Sequence, residues 1–298
     1  MLGRRWKYAA AIVYLLGAVV ACVGAGVPLT PDRLAVLLLP PVLLQRLFWA
    51  FLRDWLPFLF VLFAYEYLRG LGGRLALHVH FLTAIHFDRL LFGVVPTQFL
   101  QQRFFAPPHL HWWDYAATLV YFMHFVAPVA FGFWLWLRRR DQFAEFSLAL
   151  LALSFVALVT YVAFPAAPPW LAARDGFLPG VQHVLDYTLR AFPQRLQAPT
   201  LYAMFDPDQV AAVPSLHAGY AALIALFAIR FHAFRGALLL APYPLLMGFS
   251  LVYLGEHYVT DVLLGFSYAG LAFAAISWAS GRLAAGSRLV SSSSLASA

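Results

Sequence analysis

Eight long apolar runs follow one another along the chain, separated by stretches that carry many of its arginines. A helix needs roughly 20 mainly apolar residues to cross the hydrocarbon core of a bilayer, and several runs reach that length. The pattern therefore predicts an all-α polytopic membrane protein with about eight transmembrane helices. The predicted spans are Tyr8–Val27, Leu34–Phe51, Trp55–Leu68, Tyr115–Leu137, Phe143–Phe164, Ser215–Ile229, Ala237–Leu254 and Tyr258–Ala279.

The composition supports this fold class, because 63% of the residues are hydrophobic and only 11% are charged. Too few charged side chains remain to cover a soluble domain. The formal net charge of +7 comes from arginines beside the apolar runs, so it indicates membrane topology rather than a nucleic-acid partner. Cys22 is the single cysteine, which excludes an intramolecular disulfide.

Clusters of positive charge set the expected direction of the spans. Arg4 and Arg5 precede the first run and Arg138–Arg140 separate two later runs, so the positive-inside rule places both clusters in the cytosol. Arg282 and Arg288 place the C-terminus there too, which requires an even number of spans. Two alternatives stay open: the first run is compatible with a signal peptide, and the second, which contains two prolines, with a re-entrant or interfacial segment.

The connections between the runs divide the chain into four predicted segments. Residues 1–70 hold the N-terminal transmembrane helices, and residues 71–113 form an interfacial amphipathic segment with apolar side chains at helical spacing. Residues 114–281 form the transmembrane core that carries the candidate chemistry, with a proline-rich extracytoplasmic loop at 165–214. Residues 282–298 are a serine-rich tail that is predicted to be disordered.

The most suggestive polar pair is His257 and Asp261, at the start of the last predicted span. On a helix, residues four apart share a face, so the carboxylate can accept a hydrogen bond from one imidazole nitrogen. That bond would fix the tautomer and leave the other nitrogen as a base or nucleophile. The competing interpretation is a polar pair that only caps a helix near the interface.

A second motif, Pro214-Ser215-Leu216-His217, begins the span after the long loop, on the same membrane face. Ser215 is suited to an N-cap whose neighbouring backbone N–H groups can receive an anion. The alternative is that Ser215 only caps and His217 only packs. Ionisable groups at membrane depth are costly and commonly mark function, so we expect His217 and His257 to share one site.

Other polar pairs do not predict a metal site. The H-x-H pairs at 78–80 and 109–111 lack a further spaced ligand, so no metal is expected there. Asp206 and Asp208 lack the remaining ligands of a calcium loop, which leaves contact with sugar hydroxyls as an alternative for either carboxylate. No cofactor is expected.

Together the motifs resemble the type 2 phosphatidic acid phosphatase superfamily, whose signature is K-x6-R-P, then P-S-G-H, then S-R-x5-H-x3-D. Here residues 214–217 are Pro-Ser-Leu-His, and Ser250 stands seven residues before His257. The segments 164–170, 214–219 and 257–261, with 124–128 upstream, are similar to the inositol phosphorylceramide synthase branch. The resemblance covers roughly residues 113–265. It implies a helical core of that superfamily's type.

The chain departs from the signature at its basic residues. Leu251 stands where the signature has arginine, and Tyr161, Pro168 and Pro169 stand at the lysine, arginine and proline of the first element. The basic residues that usually hold the phosphate are therefore missing at those positions. A diester monoanion needs fewer cations than a terminal monoester dianion, so their absence favours a diester donor.

Other residues are candidates to hold the substrate. Arg103, Arg174 and Arg89 are predicted on the same membrane face, and backbone N–H groups near Ser215 offer further donors. For each arginine, contact with a lipid headgroup is the alternative. His124 lies inside an apolar span that the branch resemblance covers, and its alternatives are a substrate-site role and a buried packing role.

The resemblance implies a metal-independent double displacement. It implies that His257 takes the phosphoryl group as a phosphohistidine and that Asp261 orients and stabilises that imidazole. His217 would protonate the leaving alkoxide and then deprotonate the acceptor, which requires a pKa near working pH. The implied function is a phosphotransferase that moves a phosphorylated headgroup, with phosphoinositol from phosphatidylinositol as the expected example, to a hydroxyl of a lipid or glycan.

Two other functions stay open. A lipid phosphatase would use the same histidines with water as the acceptor, whereas a transporter or a non-catalytic scaffold would require the three motifs to be coincidental. Membrane lipids are the expected donor and acceptor. The chain has no asparagine and a single lysine, a bias typical of GC-rich bacterial genomes, so the expected location is a bacterial plasma membrane with the site on the extracytoplasmic face.

Overall fold

The computed structural model describes residues 10, 13–15, 17–18, 20–22, 25, 31–44, 47–74, 78–191 and 208–296. Helices make up most of this part of the chain. Most of the predicted first span and residues 192–207 of the long loop, including Asp206, lie outside the described residues. The helices are α1 (Val13–Cys22), α2 (Pro31–Leu44), α3 (Phe48–Arg74), α4 (Thr83–Phe92), α5 (Pro96–Phe104), α6 (Trp112–Arg138), α7 (Arg140–Ala163), α8 (Pro169–Arg174), α9 (Val184–Ala191), α10 (Leu216–Leu240), α11 (Pro242–Leu254) and α12 (Val259–Ala296).

Four of the helices, α3, α6, α7 and α12, are long and apolar enough to cross a bilayer, half the number predicted from the sequence. Helix α11 has 13 residues, so it is about 20 Å long, which is less than the thickness of a hydrocarbon core. Apolar residues alone therefore do not establish a crossing at every predicted span. The count of eight stays a prediction.

The polar pair Arg53 and Asp54, predicted to separate two spans, lies inside the single helix α3. The pair is tolerated because its charges are satisfied there. Arg53 donates to Asp54, with 2.9 Å between Nε and Oδ1. The indole Nε1 of Trp136 donates to the other carboxylate oxygen at 2.8 Å.

The long helices pack into one bundle. Helix α10 packs against α11 and α12, α7 against α3, α6 and α12, and α11 against α6. Helix α12 lies against the start of α10 at Gly265, where a Cβ atom would overlap the backbone of Ser215. Buried side chains from six helices share the core: Tyr65, Tyr121, Leu153, Leu223, Met247 and Val262.

A layer of short helices and extended segments covers one end of the bundle. His80 and Ala166 form a backbone bridge, and Ala166 forms a second with Ala211, so three distant segments meet there. On α4, Ile85 is buried while Leu90 is exposed. Such apolar exposure is typical of a helix in the membrane interface, but the interfacial position of 71–113 stays a prediction.

The C-terminal tail differs from expectation. Residues 282–298 are predicted to be disordered, whereas α12 continues to Ala296. This end contains alanine, leucine and arginine as well as serine, and the first three favour helix once a preceding helix has supplied the nucleus.

Candidate active site

The candidate site lies where α10 and α12 begin. The N–H of Ser215 donates to the backbone oxygen of Asp261, with 3.0 Å between N and O. The hydroxyl oxygen of Ser215 accepts a hydrogen bond from the N–H of Ala218, at 3.3 Å, and so caps α10. The first bond joins the starts of the two helices, and the second stabilises the start of α10.

His257 lies just before α12 rather than on its face, because the helix begins at Val259. Nδ1 of His257 lies 3.5 Å from Oδ2 of Asp261. The same carboxylate oxygen accepts the N–H of Tyr258 at 2.9 Å. Capping the helix and pairing with the histidine are the two alternatives expected from the spacing, and this carboxylate is positioned for both.

The second histidine faces the first. The ring centroids of His217 and His257 are 5.6 Å apart. The ring of His217 stacks on Tyr121 at 4.7 Å and lies 4.0 Å from the ring of His124, which stacks on Tyr220. Its Nε2 is buried and makes no hydrogen bond within the described residues. This ring is therefore held by aromatic packing with one nitrogen left for another partner.

Both histidines line a cavity at this end of the bundle, together with His124. Four charged residues also line it: Glu66, Arg69, Asp208 and Glu256. Aromatic and small residues complete its wall, among them Tyr65, Tyr121, Phe125, Tyr161, Trp170, Ala211, Ala212 and Tyr220. The cavity thus combines three imidazoles, a guanidinium and carboxylates within an apolar frame.

Arg69 is the basic residue of this cavity, and it is not among the residues predicted from the sequence. It lies on α3, in an arginine-flanked apolar run that resembles an ordinary membrane helix. Its Nη2 donates to Oε2 of Glu66 at 3.0 Å, and its side chain is only 15% exposed. A cation so little exposed at membrane depth is the signal that indicates a role other than topology.

Asp208 belongs to the long loop and lies against α3. A Cβ atom at Gly73 would overlap its carboxylate, so the two residues lie in direct contact. One carboxylate oxygen accepts the N–H of Val210 at 3.1 Å. Burial raises the pKa of Asp208, while the Val210 N–H and the charge of Arg69 act in the opposite direction.

Three predicted substrate-binding residues do not line this cavity. Arg174 is 60% exposed and donates to Asp175, with 2.8 Å between Nε and Oδ1. Arg103 is exposed at the end of α5. Ser215 is buried, and its polar groups serve the two helix starts. Arg89, the further candidate, is exposed near the end of α4.

A second residue that the sequence analysis missed is Asp88, on α4. Its carboxylate accepts the N–H of Val259 at 3.1 Å and the N–H of Thr260 at 2.9 Å. The Thr260 hydroxyl also donates to it, at 2.7 Å. Asp88 therefore caps α12 from another helix and fixes the turn that carries His257.

The histidine pairs outside the cavity are used in packing. The ring of His80 stacks on Phe164, with centroids 3.8 Å apart, and His111 stacks on Trp113. Among the residues that the structure describes, no group of three His, Cys, Asp or Glu side chains is arranged to hold a metal.

Comparison with known proteins connects this geometry with a family. The sequence model of the type 2 phosphatidic acid phosphatase (PAP2) superfamily matches residues 83–275 of the chain. The phosphoinositol dihydroceramide synthase of Bacteroides thetaiotaomicron is 29% identical over 195 residues, which is 61% of this chain. The chain spans 62% of the length of that curated relative. No solved structure matches the chain significantly.

Proposed function

Because the chain belongs to the PAP2 superfamily, we propose that it is a membrane phosphotransferase that moves a phosphorylated lipid headgroup to a hydroxyl of an acceptor. The observation that carries this proposal is the facing pair His217 and His257 in one cavity, with Asp261 behind the second ring. Two imidazoles on either side of a small space suit a reaction that needs a nucleophile and a separate acid–base group.

The reaction proceeds in two displacements. The free Nε2 of His257 attacks the phosphorus of the donor diester, and the bond to the glycerol oxygen breaks as His217 donates a proton to that oxygen. In the second step His217 removes the proton of the acceptor hydroxyl, whose oxygen attacks phosphorus and releases His257. The contact of Nδ1 with Asp261 supports Nε2 as the attacking atom.

The relative's name supports phosphoinositol as the transferred group and a dihydroceramide-type lipid hydroxyl as the acceptor. Arg69 is the one lysine or arginine among the described residues that line the cavity. A single cation suits a diester monoanion better than a monoester dianion. Phosphatidylinositol is accordingly our proposed donor.

We also propose that the cavity opens on the extracytoplasmic face. Helices α6 and α7 run between the cavity end and a turn that contains Arg138–Arg140. The positive-inside rule assigns that turn to the cytosol, so the opposite end of both helices faces outward.

The test uses purified protein in detergent with inositol-labelled phosphatidylinositol, with and without dihydroceramide or other lipid and glycan hydroxyls. We expect label to enter a new lipid, and His257→Ala and His217→Ala to abolish transfer while remaining folded. Label released only into water would instead identify a hydrolase, and turnover confined to phosphomonoester lipids would identify a lipid phosphatase. Normal activity in either histidine variant would contradict the assigned roles.

A further inference from the structure

We propose that Arg69 is the cation that binds the donor phosphate in this cavity and that Glu66 holds its guanidinium in position. The proposal deepens the proposed function and rests on it. It assigns the phosphate-binding role to α3, which precedes the segment that matches the family.

The position of Arg69 supports this assignment. Its side chain lines the same cavity as His217 and His257 and is largely shielded from solvent. Gly73 lies one helical turn further along α3, on the same side, and packs directly against Asp208. The end of α3 is therefore in direct contact with Asp208, another residue that lines the cavity.

The described side chains at the positions where the family signature has basic residues are uncharged in this chain. The Tyr161 hydroxyl donates to the backbone oxygen of Pro214 at 2.7 Å. Leu251 is fully buried in the core. Neither side chain carries a charge that could neutralise a phosphate, so the cation must come from another element of the fold.

The chemistry of arginine suits this role. A guanidinium has five N–H donors in a planar fork, so it can hold Glu66 and phosphate oxygens at the same time. Arginine and phosphate commonly form bidentate pairs, which fix orientation as well as neutralise charge. Glu66, three residues earlier on the same helix, restricts the flexible side chain to one direction.

The test compares Arg69→Ala, Arg69→Lys and Glu66→Gln with Arg190→Ala, a control whose guanidinium also pairs with an acidic neighbour but is exposed and lies outside the cavity. Vanadate serves as the probe because it mimics the phosphoryl transition state without requiring a known donor. Two quantities are measured for each variant: kcat/KM for headgroup transfer, and the vanadate concentration that raises the melting temperature halfway to its maximum.

We expect Arg69→Ala to lower kcat/KM by at least about 100-fold and to weaken vanadate binding by a similar factor, as lost charge-assisted bonds imply. Arg69→Lys keeps the charge without the fork, so its loss should be about 10-fold. Glu66→Gln should weaken vanadate binding by about 10-fold with an unchanged melting temperature of the free protein. Arg190→Ala should match the wild type.

Two outcomes would overturn the inference. One is an Arg69→Ala protein with wild-type vanadate binding. If the Arg69→Ala variant fails to fold, the second outcome decides: an Arg69→Lys protein that folds and matches the wild type in both kcat/KM and vanadate binding would overturn the inference. Failure of the proposed function would give a different result. Vanadate would still bind in a way that depends on Arg69, but no headgroup transfer would be detected. That result would support the phosphate site and contradict only the proposed reaction.

Discussion

Oδ2 of Asp261 lies 3.5 Å from Nδ1 of His257 at the first turn of α12. The same oxygen accepts the N–H of Tyr258, so one carboxylate serves both the imidazole and the helix start. The two roles respond differently to substitution, because capping needs only an acceptor whereas stabilising a charged imidazole needs a negative charge.

Asp261→Asn should therefore separate the two roles. The amide oxygen can still accept the Tyr258 N–H, but the charge opposite His257 is lost. We expect turnover to fall by about 100-fold or more, with a melting temperature close to that of the wild type. Asp261→Ala should lower both quantities. Asp175→Asn, at an exposed ion pair, is the control; an Asp261→Asn enzyme with full turnover would contradict the role of the charge.

Asp88 should matter for stability as well as activity. Asp88→Ala removes the cap from two backbone N–H groups and one hydroxyl at the start of α12. Loss of an N-cap costs about 1–2 kcal/mol of unfolding free energy, and His257 shares that turn. We expect a lower melting temperature in detergent together with reduced turnover. Asp186→Ala, on the exposed pair with Arg190, should change neither.

A methyl group added at Gly265, where α12 packs against the start of α10, should destabilise the protein. Gly265→Ala places a Cβ atom against the backbone of Ser215, and backbone cannot rotate away. Overpacking of this kind costs about 1–3 kcal/mol, so we expect a lower melting temperature and a displaced His217. Gly270→Ala on the same helix has open space around it and is the matched control. Equal melting temperatures for the two variants would refute this tight crossing.

Asp208 provides a prediction about pH. Burial raises the pKa of its carboxyl above the ordinary value, so the ionised form is disfavoured in the folded protein. Asp208→Asn keeps an acceptor for the Val210 N–H and should therefore melt at a higher temperature than the wild type at neutral pH. The gain should shrink as pH falls through the raised pKa and vanish below about pH 4, where the aspartate is protonated in both states. A variant that melts no higher than wild type at pH 7 would contradict this sign.

The sequence predicts the parts of this site that are local along the chain. His257 and Asp261 are four residues apart, so a periodicity argument is enough to pair them. The helical fold class also follows from the sequence. In a bilayer core only helices and closed β-barrels satisfy all backbone hydrogen bonds, and long continuous apolar runs are typical of helices. What the spacing does not show is that α12 begins after His257, because that depends on the cap supplied by Asp88.

Arg69 and Asp88 were beyond sequence reasoning for a shared physical reason. Arg69 lines a cavity with residues from distant parts of the chain, and Asp88 caps a helix 171 residues further on. Each lies in a segment whose pattern has a simpler interpretation: a membrane helix for Arg69 and an interfacial helix for Asp88. The sequence favours Arg103 and Arg174 instead, because topology assigns a membrane face to a residue but not its distance from the histidines. Only the packing of α3 against the bundle selects one arginine from the several near that face.

The bonds between Asp88 and the first turn of α12 join parts of the chain that are 171 residues apart. During synthesis, the ribosome releases α4 long before α12 exists, and the turn that carries His257 acquires its cap only after that last helix has been translated and inserted. Contacts of such long sequence separation form late. The nascent chain therefore has no completed cavity until α12 has been made, so the proposed chemistry belongs only to the finished protein.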